Sequence, residues 1–332
     1  MLAQAATPLE AFQHGKLGLS FGGAGYLILW YAGVVKVFQE LGIIESGRAT
    51  PVAGASSGAL TAATICSGTT ADKFYSSVSS LTARCYKTPT DCAGNMDGAV
   101  RAALADYLPP DAAARCNNTG YMSVTVYDEP GHPRPAVVST FSNSSDLIST
   151  LAASSYIPMW SGSRLFTSLR GRQAIDGSVS APQPCPPSVE YCVRIASAPP
   201  EMSGPNAARG SAGVGEVIAQ IQRAVNGQRT NAVNVRKPQL PDPSAARADP
   251  AKLEAFKKAG IDLAPGLAAE NPFPADVWQE LSTLPCDPAT CDYIYKMGQV
   301  DAMAWAEATG IKAAAEARGK NRALLRLRRH AI

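Results

Sequence analysis

Apolar and polar positions along the chain change their period several times, and each change marks a predicted element. Lys16-Leu-Gly-Leu-Ser-Phe21 is a short apolar run entering Gly22-Gly-Ala-Gly25, after which Leu27, Tyr31, Val34, Val35 and Phe38 recur at helical spacing until Gly42. That pattern predicts a strand, a glycine turn and a helix over about 27–41. The arrangement recurs at Thr50-Pro-Val-Ala53, Gly54-Ala-Ser-Ser-Gly58 and a small-residue helix over about 59–65.

Helical spacing resumes over 71–86 and 96–108. Met122-Ser-Val-Thr-Val-Tyr127 alternates, and Pro135-Ala-Val-Val-Ser-Thr-Phe141 is β-branched and aromatic; the Pro/Gly/His turn between them predicts a hairpin. A helix over 146–154 stops before Pro158, and strands are predicted over 173–175 and 191–196. Helices over 251–259, 275–284 and 294–308 close the pattern. Alternating strands and helices without a solenoid repeat predict an α/β sandwich, its central sheet mainly parallel with helices on both faces.

Composition narrows this picture. Hydrophobic residues are 46% and charged residues 17% of the 332, which excludes general disorder. The predicted organisation is an N-terminal extension over 1–15, one domain over 16–310 and a basic tail over 311–332. Residues 199–250, rich in Pro, Gly, Ala and Arg, are predicted to be a surface insertion or linker, with one helix near 214–225. A net charge of +3 is too small for nucleic-acid binding. The excess sits at Arg318, Lys320, Arg322, Arg326, Arg328 and Arg329, a tail expected to be solvated, with weak contact to anionic membranes as the alternative.

No apolar run is long enough for a transmembrane helix, and the first residues lack the pattern of a secretory signal. The expected location is therefore cytoplasmic, peripheral on membranes or lipid droplets. Cys85/Cys92, Cys185/Cys192 and Cys286/Cys291 are close enough in sequence to close small disulfide loops, which would favour a secreted chain instead. Reduced thiols are the primary expectation. No spacing has the form of a zinc site, so neither metal nor organic cofactor is expected.

The chemistry concentrates at the two glycine turns. Gly54-Ala-Ser56-Ser-Gly58 fits G-x-S-x-G between a strand and a helix, where glycines let a serine stand exposed on a sharp turn; a purely structural turn is the alternative. Gly22-Gly-Ala-Gly25 can present N–H groups of Gly23, Ala24 and Gly25 to an oxyanion. A plain turn or a phosphate cradle would use similar glycines, although no P-loop exists and G-x-G-x-x-G fails at Ile28. Of the histidines, His14, His132 and His330, only His330 follows the serine late enough for the acid-then-histidine order, and it lies near the C-terminus. A carboxylate must then act as base. Asp176, in Ala174-Ile-Asp-Gly-Ser178 at the end of an apolar strand, is the candidate, with Gly177 turning the chain away; a structural Asp-Gly turn is the bland reading.

The glycine loop, G-x-S-x-G and Asp-Gly stand in an order that resembles the patatin-like phospholipase family. Ser20-Phe-Gly-Gly-Ala-Gly-Tyr-Leu27, Ala153-Ser-Ser-Tyr-Ile-Pro158, Gly171-Arg-Gln-Ala-Ile-Asp-Gly177 and Lys296-Met-Gly-Gln-Val-Asp-Ala-Met303 are most similar to its adipose triglyceride lipase branch. The resemblance spans about 16–310, with 199–270 unmatched. It implies the family's three-layer sandwich, a Ser56–Asp176 dyad without histidine, an oxyanion hole at Gly23, Ala24 and Gly25, and supporting Gly54, Gly58 and Gly177. Leu27 and Ile28 replace the arginine and final glycine common in that loop.

The implied activity is cleavage of fatty acyl esters, of triacylglycerol or phospholipid, through an acyl-serine at a membrane or droplet surface. Tyr26, Trp30, Tyr156, Met159 and Trp160 are candidates for an acyl groove, or for ordinary core. The alternatives are an acyltransferase or thioesterase with the same dyad, and a lipid-binding or storage protein that has lost turnover.

Overall fold

The computed structural model describes residues 6–45, 50–129, 132–200 and 231–319, with isolated positions between 201 and 230. The helix expected over 214–225, His330 and the basic residues beyond Arg318 lie outside the described residues. The strands are β1 (Leu17–Phe21), β2 (Val52–Ala55), β3 (Gly120–Tyr127), β4 (Pro133–Val138), β5 (Thr167–Leu169), β6 (Arg172–Asp176) and β7 (Tyr191–Ile195). The helices are α1 (Pro8–His14), α2 (Ile28–Glu40), α3 (Ser57–Cys66), α4 (Ala71–Lys87), α5 (Met96–Tyr107), α6 (Ala112–Cys116), α7 (Ser144–Ser154), α8 (Pro250–Lys258), α9 (Ala275–Thr283) and α10 (Pro288–Ala308).

These form an α/β three-layer sandwich around a mixed sheet of order β5-β6-β3-β2-β1-β7, with β4 also on β3. β1 pairs parallel with β2 and β7, and β2 parallel with β3, whereas β4 and β6 pair antiparallel with β3, and β5 with β6. The parallel half is apolar along its length: β1 and β2 are buried at every position, as expected of strands covered on both faces. α2 is buried on nearly all sides, from Ile28 to Phe38, and packs along α10.

β3 sets the geometry of the site. β4 pairs with it from Met122 to Tyr127 and so occupies one edge. β2 pairs with Gly120 to Ser123 and β6 with Val124 to Tyr127, so both must lie on the other edge, meeting end to end. Ala55 stands opposite Ser123, and Asp176 opposite the next residue, Val124. The last residues of β2 and β6 are thereby placed side by side.

Several segments differ from expectation. The N-terminal extension contains α1, started by a Thr7–Glu10 capping box, with Ala11 and Phe12 buried. Residues 311–319 are helical, and Arg318 donates to the carbonyls of Phe12 and Gln13 while lying over the Phe12 ring. Arg318 is therefore docked, not solvated. Within the region read as an insertion, Ala232 and Ala246 are buried in short turns. β5 was not expected; Arg170 and Gly171, both at positive φ, fold it back onto β6. α10 starts earlier than the apolar period indicated, because Asp287 caps it ahead of Pro288.

All eight cysteines are paired, in Cys66–Cys116, Cys85–Cys92, Cys185–Cys192 and Cys286–Cys291, which overturns the expectation of reduced thiols. Sequence spacing suggested the last three. Cys66–Cys116, separated by 50 residues, required the fold to bring α3 and α6 together. Among the described residues no helix is long and apolar enough to cross a membrane.

Candidate active site

Ser56 occupies the turn from β2 into α3 with φ 55° and ψ −131°, a conformation that disfavours any side chain. The motif glycines explain how it is held. Gly54 packs on the backbone of Gly58, and Gly58 in turn on the carbonyls of Phe21 and Gly22, leaving no room for a Cβ at either. The Ser56 N–H donates to Ser154 Oγ at 3.0 Å, and Ser154 Oγ donates to the Ser123 carbonyl at 2.6 Å. A buried hydroxyl on α7 thus ties the strained turn to β3.

Asp176 ends β6. Its N–H donates to the Tyr156 carbonyl at 2.8 Å, and its own carbonyl accepts from Thr125 Oγ1 at 2.8 Å. Its Oδ1 accepts the Ser178 N–H at 2.8 Å, which orients the carboxylate. Gly177 then turns away against the Ser123 backbone. Ser56 and Asp176 are 7% and 6% exposed, and the hydroxyls of Ser56 and Ser178 both lie beside the carboxylate. Burial pushes the carboxyl up from its ordinary range to about 6, and the adjacent Ser56 hydroxyl and the N–H and hydroxyl of Ser178 keep it from rising further. A carboxylate at that value is a competent base near neutral pH and can re-donate the proton it takes.

The glycine loop lies against this pair. Its carbonyls point into the scaffold: Gly22 accepts from Tyr31 OH at 3.0 Å, Gly23 from Ser197 Oγ at 2.9 Å and Gly25 from Ser57 Oγ at 2.9 Å. Among the described residues the N–H groups of Gly23, Ala24 and Gly25 have no hydrogen-bond acceptor. Gly25, at φ 54°, also passes directly over the backbone of Ser282 in α9. A Cβ on Gly23 would sit 3.5 Å from Ser56 Cβ, so this loop borders Ser56. Free amides beside a serine and a carboxylate can receive an oxyanion.

The aromatic candidates divide. Trp30 is core: it is fully buried and its Nε1 donates to Asp301 at 3.1 Å. Tyr26 and Trp160 pair edge to face across the glycine loop, and Tyr156 OH donates to the Arg164 carbonyl. Met159 is exposed. His14 pairs with Glu190 at 2.7 Å, and His132 sits in the turn before β4, so neither pairs with Ser56 or Asp176. Ser123, Ser154, Ser178 and Ser197 escaped sequence reasoning. Ser154 lies inside the Ala153–Pro158 resemblance, but its bond to Ser56 spans 98 residues and leaves no local pattern.

Residues 19–187, half of the chain, match the model of the patatin-like phospholipase family. The chain is 29% identical over 166 residues to patatin-like phospholipase domain-containing protein 2 of Homo sapiens, covering 49% of this chain and 32% of that protein. It is 28% identical over 184 residues to protein 4 of the same series in Homo sapiens, covering 52% and 68%. Omega-hydroxyceramide transacylase of Mus musculus is 28% identical over 170 residues, covering 50% and 28%. The matched segment spans about a third of the length of protein 2 from mouse, human and rat.

Proposed function

The chain belongs to the patatin-like phospholipase family, and on that premise we propose that it is a serine acyl hydrolase of lipid esters with Ser56 as nucleophile and Asp176 as base. The observation that carries this reading is the end-to-end meeting of β2 and β6 on one edge of β3, which sets the Ser56 hydroxyl against a buried carboxylate. In the proposed reaction Asp176 takes the hydroxyl proton as Ser56 Oγ attacks the ester carbonyl. The N–H groups of Gly23, Ala24 and Gly25 receive the oxyanion, and the alcohol leaves with the proton. Asp176 then deprotonates water, which attacks the acyl-serine; fatty acid departs and Ser56 recovers its proton.

Met159, Leu165 and Val179 are exposed apolar residues on the segments before and after β6, the surface on which a membrane or droplet would rest. The paired cysteines favour work in an oxidising compartment. The similarity to a transacylase supports a second reading, acyl transfer to a lipid hydroxyl by the same dyad.

The test is fatty-acid release from emulsified triacylglycerol and from phosphatidylcholine vesicles, comparing the parent chain with Ser56→Ala and Asp176→Asn. Loss in both folded variants supports the dyad, and the preferred lipid names the substrate. Equal turnover in parent and variants, or none on either lipid or on p-nitrophenyl esters, rejects it.

A further inference from the structure

Among the hydroxyls packed on the Asp176 turn, those of Ser123, Thr125 and Ser180 have hydrogen-bond partners and that of Ser178 has none of normal geometry. Ser123 Oγ donates to the Gly177 carbonyl, Thr125 Oγ1 donates to the Asp176 carbonyl, and Ser180 Oγ pairs with Thr125 Oγ1. Ser178 Oγ, on a residue only 3% exposed, lies beside the Asp176 carboxylate yet completes no hydrogen bond of normal geometry. Its backbone is not free to turn away, because its N–H is held by Asp176 Oδ1 at 2.8 Å. A buried hydroxyl without a partner costs stability, so one retained at a site invites a ligand that supplies the partner.

The position of that hydroxyl says which ligand. A Cβ on Gly23 would lie 2.5 Å from Ser178 Oγ and 3.5 Å from Ser56 Cβ, so both serines face the same bare stretch of the glycine loop. An oxygen attacking an acyl group on Ser56 must stand between the carboxylate and the acyl carbon, and Ser178 Oγ borders that carboxylate and the same glycine as Ser56. Water reaching that point carries two O–H bonds: one is given to Asp176, and the other remains. A lipid alcohol carries only one.

Resting on the Ser56–Asp176 reading, we propose that Ser178 is the water-selecting residue of deacylation: its Oγ accepts the second O–H of the attacking water, favouring hydrolysis over transfer to an alcohol. The step balances without further reactants. Asp176 removes one proton from water as its oxygen bonds to the acyl carbon, the bond from that carbon to Ser56 Oγ breaks, and Oγ takes the proton from Asp176. The second water proton, held by Ser178 Oγ, stays on the fatty acid.

The experiment measures partition of the acyl-enzyme formed from p-nitrophenyl butyrate between water and glycerol, by quantifying butyrate and glyceryl butyrate at a series of glycerol concentrations. Partition does not depend on how fast the acyl-enzyme forms, so a merely structural role for Ser178 leaves it unmoved. Ser178→Ala is expected to raise the ester-to-acid ratio about tenfold, the size of one lost hydrogen bond, with Tm unchanged or higher. Ser178→Cys, of similar shape but a weak acceptor, should move the ratio the same way and serves if the alanine variant does not fold. An unchanged or lower ratio in a folded variant overturns the proposal while Ser56→Ala still abolishes nitrophenol release. Turnover that survives Ser56→Ala overturns the dyad first, and this proposal with it.

Discussion

Asp176 and Asp301 are both buried, and burial pushes both carboxyls up to about 6, yet they sit in neighbourhoods of opposite kind. Asp301, inside α10, accepts N–H groups from Trp30 Nε1 and Gly266 at 3.1 Å and from Ala268 at 3.0 Å. Its oxygens accept from two backbone amides and an indole, none of which can hand over a proton. It fastens α2 and the loop after α8 to α10. Asp176 accepts a single backbone N–H and otherwise faces serine hydroxyls, one of them on a strained turn. A perturbed carboxyl is therefore no sign of chemistry by itself; what separates the two is whether the neighbours are fixed donors or groups that can give up a proton.

The sharpest way to break this comparison is to remove the reactive partners. Ser56→Ala or Asp176→Asn is expected to lower kcat/KM on the order of 10⁴-fold with Tm unchanged or raised, measured by ester hydrolysis and thermal unfolding. A fall in Tm with activity retained would reverse the assignments of the two aspartates.

The disulfides extend the contrast to cross-links. Cys66–Cys116, at the far end of the helix that follows Ser56, closes a loop of 50 residues, whereas Cys286–Cys291, at the head of the Asp301 helix, closes one of 5. Replacing both cysteines by alanine should cost about 4 kcal/mol for the first pair and about 2 kcal/mol for the second, by urea unfolding. Equal costs would show that loop length does not govern them.

Asp301→Asn is expected to destabilise while leaving turnover per folded molecule intact. Each raised carboxyl holds its proton in the folded chain to about pH 6 but loses it near pH 4 when unfolded, so the folded form is favoured at low pH and loses that advantage as pH rises between them. The stability gap between parent and Asp301→Asn should therefore shrink by about 2 kcal/mol from pH 4 to pH 7. Activity runs the other way at Asp176: kcat/KM should rise with pH through about 6, as the base is freed of its proton.

The smallest effect is expected at Ser154→Ala, which removes the acceptor of the Ser56 N–H. kcat should fall about tenfold with KM unchanged, since the turn loses one anchor while the substrate contacts remain. A change confined to KM would place Ser154 in binding instead.

Local pattern determined a good deal of this molecule. Apolar runs bounded by glycine marked β1 and β2, helical spacing marked α2, and the strand-to-helix setting of Ser56 was legible because a sharp turn demands glycines nearby in sequence. Asp176 stood out from an apolar strand ending in Asp-Gly, although what it faces did not. Only the tertiary structure decided that β2 and β6 share an edge of β3, that Ser154 reaches Ser56 across 98 residues, that Cys66 meets Cys116, and that the Ser178 hydroxyl is buried beside Asp176 with no hydrogen bond of normal geometry. Propensity and periodicity act over a few residues and leave their record there; register, burial and hydrogen-bond completion are set by segments distant in sequence, and no local pattern encodes them.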